Sequence, residues 1–478
     1  MPAAFNDDIF FASIAELNSR LKAKEFSATE LAKAFCDRME TLGPRYNALA
    51  LSLRKQAMQK ARDVQDEMKR ERYRGPLQGI PFGVKDLIAV AHQPTTWGAK
   101  PYAGQVFDFD ATVVRKLDKA GGVLTGKLSM VELAGGPSYR YARASLQGPG
   151  LNPWNRTRWS GGSSSGSGAA VAAGLVTYAL GSETSGSILT PAAFCGVTGL
   201  RPTYGLVSRY GAMPLSWSLD KIGPLCRSAE DCGIVLQAVA GGDNNDPSSA
   251  GKSFYFAPKF ARALKDVVIG FAPVDFAEWA EPAARPDLEN ALEQIKQMGV
   301  QVREASLPDF PYGALTSTII AAEAASVFED LIASGQVNEL ADQKQIAGLK
   351  AGYELPAREY LRAMRVRSLI QQAFRELFAN IDVLVTPARM VPAPKIADPL
   401  DRPVTQRTPP KDRGLSGLIP AGNLAGLPAL SLPCGFADGL PVAISLVGRP
   451  FSEGMLLNMG REFQSRTDWH KRRPPMSS

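Results

Sequence analysis

The sequence predicts an α/β protein in which strands and helices alternate along one large unit. Short apolar runs bounded by turn residues recur at 80–84, 122–126, 267–271 and 382–387. Segments of helical period lie between them, at 111–120, 288–298 and 362–378. A length of 478 residues at 45% hydrophobic content supplies a core large enough to cover a sheet with helices.

Residues 1–70 read as an N-terminal helical segment. Ser27-Ala28-Thr29-Glu30 fits a capping box, and Phe26 with Leu31 fits a hydrophobic staple. Leu31, Phe35 and Met39 then fall on one helical face. The next part, 75–230, opens with the strand at 80–84, which runs straight into Lys85-Asp86. Helix 111–120, strand 122–126 and a small-residue helix at 169–176 follow. The remainder, 260–465, holds strand 267–271, helices 288–298 and 362–378, strand 382–387, and two strands at 429–432 and 442–447 joined by 435–440. Six prolines between 391 and 413 mark a long exposed loop. No internal repeat breaks the chain, so residues 1–478 read as a single domain.

Composition excludes several classes. The net charge of +7 is scattered, with one cluster at Lys471-Arg472-Arg473 and no basic stripe interleaved with aromatics, so no nucleic-acid partner is expected. Five cysteines without Cys-x-x-Cys spacing, most beside apolar residues, read as buried free thiols in a reducing compartment. The N-terminus lacks the pattern of a signal peptide, and no apolar run reaches the ~18 residues of a membrane span. A cytoplasmic location follows as the expectation. The two histidines, His92 (read as structural) and His470 (read as solvated), leave no set for a histidine-type zinc site or a Ser-His-Asp triad. Neither metal nor cofactor is expected.

The stretch 160–187 carries the chemical signal, with 8 serines and 7 glycines in 28 residues. A flexible linker has such a composition. The apolar run in its middle and the Ile188, Leu189, Phe194, Val197 and Leu200 that follow argue against one. A phosphate loop would need a Gly-Lys-Ser/Thr ending, which Gly161-Gly162-Ser163-Ser164-Ser165-Gly166 lacks. The third reading is a turn at a helix start, where glycines permit the backbone that presents a serine hydroxyl. Downstream, Thr184-Ser185-Gly186-Ser187 is either a tight turn or an oxyanion hole of successive amides with Ser187 as nucleophile. Lys85 is either a strand-end lysine in solvent or, drawn into a dry site, a base of lowered pKa.

Gly-Gly-Ser-Ser at 161–164, the small-residue helix, Gly186-Ser187-Ile188 and Pro-Ala-Ala-Phe-Cys-Gly-Val-Thr-Gly-Leu-Arg-Pro-Thr at 191–203 together resemble the amidase signature family. So do Gly79–Asp86 around Lys85, Asp110–Val114, Gly126-Lys127, Asn152-Pro153-Trp154 and Asn423–Pro428. The resemblance spans roughly residues 13–464. It implies one large mixed sheet covered by helices on both sides. It also implies Lys85 as base, Ser163 as a bridging serine on a cis peptide, and Ser187 as nucleophile. The 24-residue separation of the two serines agrees with the family's. The amides of Thr184, Ser185, Gly186 and Ser187 would form the oxyanion hole.

Departures bear on the substrate. Glu183, Ser185 and Leu189 stand where the family usually has Asp, Gly and Arg. Related glutamine-dependent amidotransferase subunits place an acid shortly before Asn-Leu-Ala-Gly-Leu-Pro, whereas this chain has Leu415-Ser416-Gly417-Leu418. The leading expectation is therefore a stand-alone hydrolase, monomeric or homodimeric, of small carboxamides, with anilides, carbamates (urethanes) and esters as candidates. Met130, Gly162, Leu189, Leu418 and Ile419 are the expected pocket residues. The second reading is the A subunit of a glutamine-dependent aminoacyl-tRNA amidotransferase, a glutaminase supplying ammonia. A non-enzymatic scaffold is the third.

Overall fold

A computed structural model describes residues 5–401 and 413–475. The strands in chain order are β1 (Leu49–Ser52), β2 (Pro81–Lys85), β3 (Val123–Leu128), β4 (Leu151–Asn152), β5 (Asn155–Trp159), β6 (Tyr178–Glu183), β7 (Thr198–Arg201), β8 (Lys221–Cys226), β9 (Val268–Phe271), β10 (Gln301–Glu304), β11 (Val383–Pro387), β12 (Ala429–Ala437) and β13 (Leu440–Gly448). Among the described residues, eleven of them form one mixed sheet in the order β1-β3-β2-β6-β8-β7-β12-β13-β11-β9-β10, and β4 and β5 pair separately. Helices flank the sheet, as the α/β reading requires. Among the described residues, no helix is long and apolar enough to cross a membrane.

Local sequence explains much of this. β2 and β11 are buried at every position, which is why they read as continuous apolar runs rather than alternating ones. β12 and β13 form a hairpin with Ala437 opposite Leu440, closed by Asp438 (φ 51°) and Gly439 (φ 74°). That is a two-residue turn with both central residues at positive φ, the form that matches strand twist. The strands are accordingly longer than expected, and the connection is two residues rather than 435–440. In the N-terminal segment the capping box at Ser27 and Glu30 closes the helix Ala28–Leu42, and a second at Ser13 and Glu16 starts Ile14–Lys22. That segment is not all helical, since β1 interrupts it.

Several elements differ from the expectation. The small-residue helix runs Ser165–Ala172, starting a turn before Ala169, and every residue in it is buried. Ser and Gly have weak helix propensity, but close packing overrides it here: a β-carbon at Gly166 would lie 2.5 Å from Ala48 O and Ser129 N. β6, β7 and β8 do not stand out in the sequence because small and polar residues fill them, although they sit mid-sheet. The proline-rich segment is not wholly exposed. Trp159 N donates to Pro394 O, Leu400 N donates to Arg140 O, and Ala393 is buried; residues 402–412 of that expected loop lie outside the described residues. All five cysteines are buried and free. His470, expected in solvent, is half-buried, and burial beside Lys471 and Arg227 holds its pKa down to about 4.

Candidate active site

Lys85 ends β2, the strand that lies between β3 and β6 in parallel pairing. This places its side chain inside the molecule, and its Nζ lies 2.7 Å from Ser163 Oγ and 3.0 Å from Ser182 Oγ. Burial lowers the Lys85 pKa to about 7, with Asp220 and Glu183 opposing the shift.

Ser163 follows Gly162 through a cis peptide bond and directly precedes the Ser164 cap of helix Ser165–Ala172. The segment is stitched to its surroundings by backbone. Val131 N donates to Ser163 O (3.1 Å), and Ser164 N donates to Ser187 O (3.3 Å). Ser164 Oγ donates to Ser182 O at 3.1 Å, so Ser164 ties the glycine-rich turn to β6.

Ser187 lies on the turn between β6 and the helix Leu189–Cys195, just after Gly186 at φ 91°. Its side chain makes no hydrogen bond among the described residues and is 9% exposed. The amides of Thr184, Ser185, Gly186 and Ser187 likewise donate no hydrogen bond among the described residues. The next two amides, Ile188 and Leu189, donate to the Glu183 carboxylate at 2.9 and 3.0 Å. Glu183 thus anchors the far end of the turn and leaves the four preceding donors unengaged.

Glu183 is itself buried. Arg201 Nη1 and Asn423 Nδ2 each reach its Oε1 at 2.9 Å. Burial raises its pKa, but Arg201, Asn423, Lys221 and the Leu189 amide outweigh that and hold it at about 2. Asn423 Oδ1 in turn accepts from Lys221 Nζ at 2.6 Å. On the other side of the turn Thr184 Oγ1 donates to Asp220 Oδ1 at 2.6 Å.

Two cavities lie near this turn, the first reaching Leu189 and the second Thr184, and neither is lined by Lys85, Ser163 or Ser187. One of about 280 Å³ is lined by Leu189, Leu418 and Ile419 together with Arg201, Trp279 and Arg389. A second, of about 240 Å³, is lined by Ser182, Thr184, Arg209, Trp217, Asp220 and Lys221. Of the five expected pocket residues, Leu189, Leu418 and Ile419 line the first cavity. Met130 is fully buried and lines neither, its Cγ lying 2.9 Å from where a β-carbon on Gly98 would be. Gly162 lines neither as well; a β-carbon there would lie 2.6 Å from the Trp159 ring and 2.8 Å from Val131 Cγ2.

Residues 30–457 match the Amidase family model. The chain belongs to the amidase signature family. It is 37% identical to the A subunit of the glutamyl-tRNA(Gln) amidotransferase of Carboxydothermus hydrogenoformans, over 98% of this chain and 100% of that protein. The native peptide amidase of Stenotrophomonas maltophilia superposes with a TM-score of 0.83 at 33% identity, covering 97% of this chain and 98% of that one. A bacterial aryl acylamidase of the amidase signature family shares the fold at a TM-score of 0.86 and 21% identity, with 97% and 99% covered. An amidase signature chain is an enzyme of carbon–nitrogen bonds, which sets the scaffold reading aside.

Three parts of this candidate site carry no clear signal in the sequence. Ser182 contacts the lysine, Asn423 joins Glu183 to Lys221, and Asp220 holds Thr184. Asn423 opens a stretch that resembles the family, which marks its position but not its partners. For Ser182 the signal is its position five residues before Ser187. Asp220 is distant in sequence from Thr184 and gives no signal. Among the described residues no His, Cys, Asp and Glu cluster could hold a metal ion.

Proposed function

We propose that this chain hydrolyses small carboxamides and carbamates through an acyl-enzyme formed on Ser187. The observation that carries the reading is the buried Lys85 amine at 2.7 Å from Ser163 Oγ, its pKa brought to about 7. Neutral Lys85 takes the Ser163 proton, Ser163 takes the Ser187 proton, and Ser187 Oγ attacks the carbonyl carbon. The amides of Thr184 to Ser187 receive the oxyanion, each donor being worth about 3 kcal/mol. As the C–N bond breaks, the relay returns a proton to the leaving amine. Water then attacks the acyl-enzyme by the same path and releases the acid.

Leu189, Leu418 and Ile419 support a substrate with an apolar acyl or aryl part, and among the described residues no carboxylate lines their cavity to hold the ammonium of glutamine. Hydrolysis of a panel of primary amides, anilides, carbamates, esters and glutamine tests this. Activity on anilides or carbamates that vanishes in Ser187→Ala is expected; a Ser187→Ala protein with full turnover would overturn the mechanism.

The curated relatives favour the second reading, since they are named as the A subunits of glutamyl-tRNA(Gln) amidotransferases, with 36–39% identity over nearly their whole length. On it, the chain would release ammonia from glutamine within an assembly acting on tRNA, rather than work as a monomer or homodimer without nucleic acid. Glutaminase activity together with co-purification of a second, different polypeptide would establish it in place of the first.

A further inference from the structure

We infer that the cavity beside the Ser187 turn binds a carboxylate carried by the substrate, and that Arg389 is its receptor. The inference rests on the acyl-enzyme reading and names the substrate class of that site: half-amides in which a short apolar spacer joins the scissile carbonyl to a carboxylate.

Arg389 lies two residues beyond β11 and lines the cavity with Arg201. The two guanidiniums are supported differently. Arg201 is neutralised by Glu183 at 2.9 Å, although its Nη2 is buried without a partner. Arg389 has no ion pair and no hydrogen bond among the described residues, and its Nε is sealed from solvent. The Phe194 ring lies beside it, with its centroid 5.7 Å from Cζ. A guanidinium stays charged under ordinary conditions, so a half-buried one without a counter-ion leaves donors and a charge uncompensated. A protein retains such a group at a cost unless a ligand supplies the acceptor.

The cavity fits that ligand. Its described lining holds no Asp or Glu, so no carboxylate among the described residues of the cavity wall competes for the cation. Leu189, Leu418, Ile419 and Val447 keep the surroundings apolar, which strengthens a charge-assisted hydrogen bond. A volume of about 280 Å³ admits a short chain rather than a polymer. Ile419 also reaches the reacting end, since its Cγ2 lies 3.2 Å from where a β-carbon on Gly186 would be. An α-ammonium would enter a space with two guanidiniums and, among the described residues, no acid, so glutarate half-amides suit it better than glutamine.

The test compares the mono-p-nitroanilide of glutaric acid with its methyl ester. Wild-type protein should favour the free acid in kcat/KM by about 10- to 100-fold, and Arg389→Gln should bring that ratio to within about twofold of one. Calorimetric titration of Ser187→Ala with the glutaric anilide should show binding that Ser187→Ala/Arg389→Gln loses. Equal use of both anilides by wild type, or a preference that persists in Arg389→Gln, overturns the inference. If neither anilide is cleaved, the acyl-enzyme reading fails by itself, and the titration still decides whether Arg389 binds the carboxylate.

Discussion

Replacing Lys85 by methionine should remove activity and yet stabilise the fold. Lys85 is fully buried among Ser163, Ser182 and the sheet, and no carboxylate among the described residues forms an ion pair with it. Its pKa of about 7 when folded compares with about 10.4 in an unfolded chain. Between those values the unfolded state binds more protons than the folded one, so wild-type stability rises as pH increases through that window. At about 1.4 kcal/mol per pH unit, the burial penalty is about 5 kcal/mol at pH 6 and about 1 kcal/mol at pH 10. Methionine fills a similar volume without a charge but leaves Ser163 and Ser182 short of a partner, a loss of about 1 kcal/mol each. Lys85→Met should therefore be more stable than wild type by about 3 kcal/mol at pH 6, with the advantage gone by pH 10. Urea denaturation of both proteins across that pH range measures it. Wild-type kcat/KM should meanwhile climb about tenfold per pH unit below about 7 and level off above it. A Lys85→Met protein less stable at pH 6, or a wild-type profile still rising at pH 9, would refute the assignment of a neutral buried lysine.

Glu183→Ala should cost about 3–5 kcal/mol, because Arg201 would stay buried without its counter-ion; denaturant midpoints report it. Because the Glu183 pKa is lowered to about 2, its contribution holds above the ordinary carboxylate value near 4.5 and is lost as pH falls toward 2, which acid titration of wild type against Glu183→Gln should resolve. Gly186→Ala should lower kcat/KM by about 10-fold or more in an anilide assay, since φ is 91° there and the added carbon would press on Ile419 and Thr190 at 3.2 Å. Gly439→Ala should lower stability by about 1 kcal/mol by straining the hairpin turn at φ 74°, again read from denaturant midpoints.

The legible parts of the fold are those where burial and chain period agree. β9, β2 up to Lys85 and β11 apart from Thr386 are apolar, and the long helices show their buried stripe, as Ala363, Arg367, Ile370 and Phe374 do in Ala357–Leu377. β6 is not legible, because a strand ending in Gly181-Ser182-Glu183 looks like a loop. Its polar end belongs to the candidate site: Ser182 contacts the lysine and Glu183 accepts from the turn. Local rules fail there for the reason they usually do, that a functional site overrides them. Asp438-Gly439 is a readable hairpin signal that the broader 435–440 connection obscures. Lys85, Ser163 and Ser187 stand out as residues; the contacts of Ser182 with Lys85, of Asp220 with Thr184 and of Asn423 with Glu183 depend on approaches that only the folded chain brings about.

The last hairpin of the sheet also governs how the chain can assemble during synthesis. β12 pairs with β7 and β13 pairs with β11, so residues 429–448 bridge a half-sheet built from residues 49–226 and another built from 268–387. Until the ribosome has released that segment, β7 and β11 each present an open edge that a neighbouring nascent chain can pair with. The enzyme is closed like a vault by its keystone, and its exposure to misassembly is greatest in the interval before residues 429–448 join the two half-sheets.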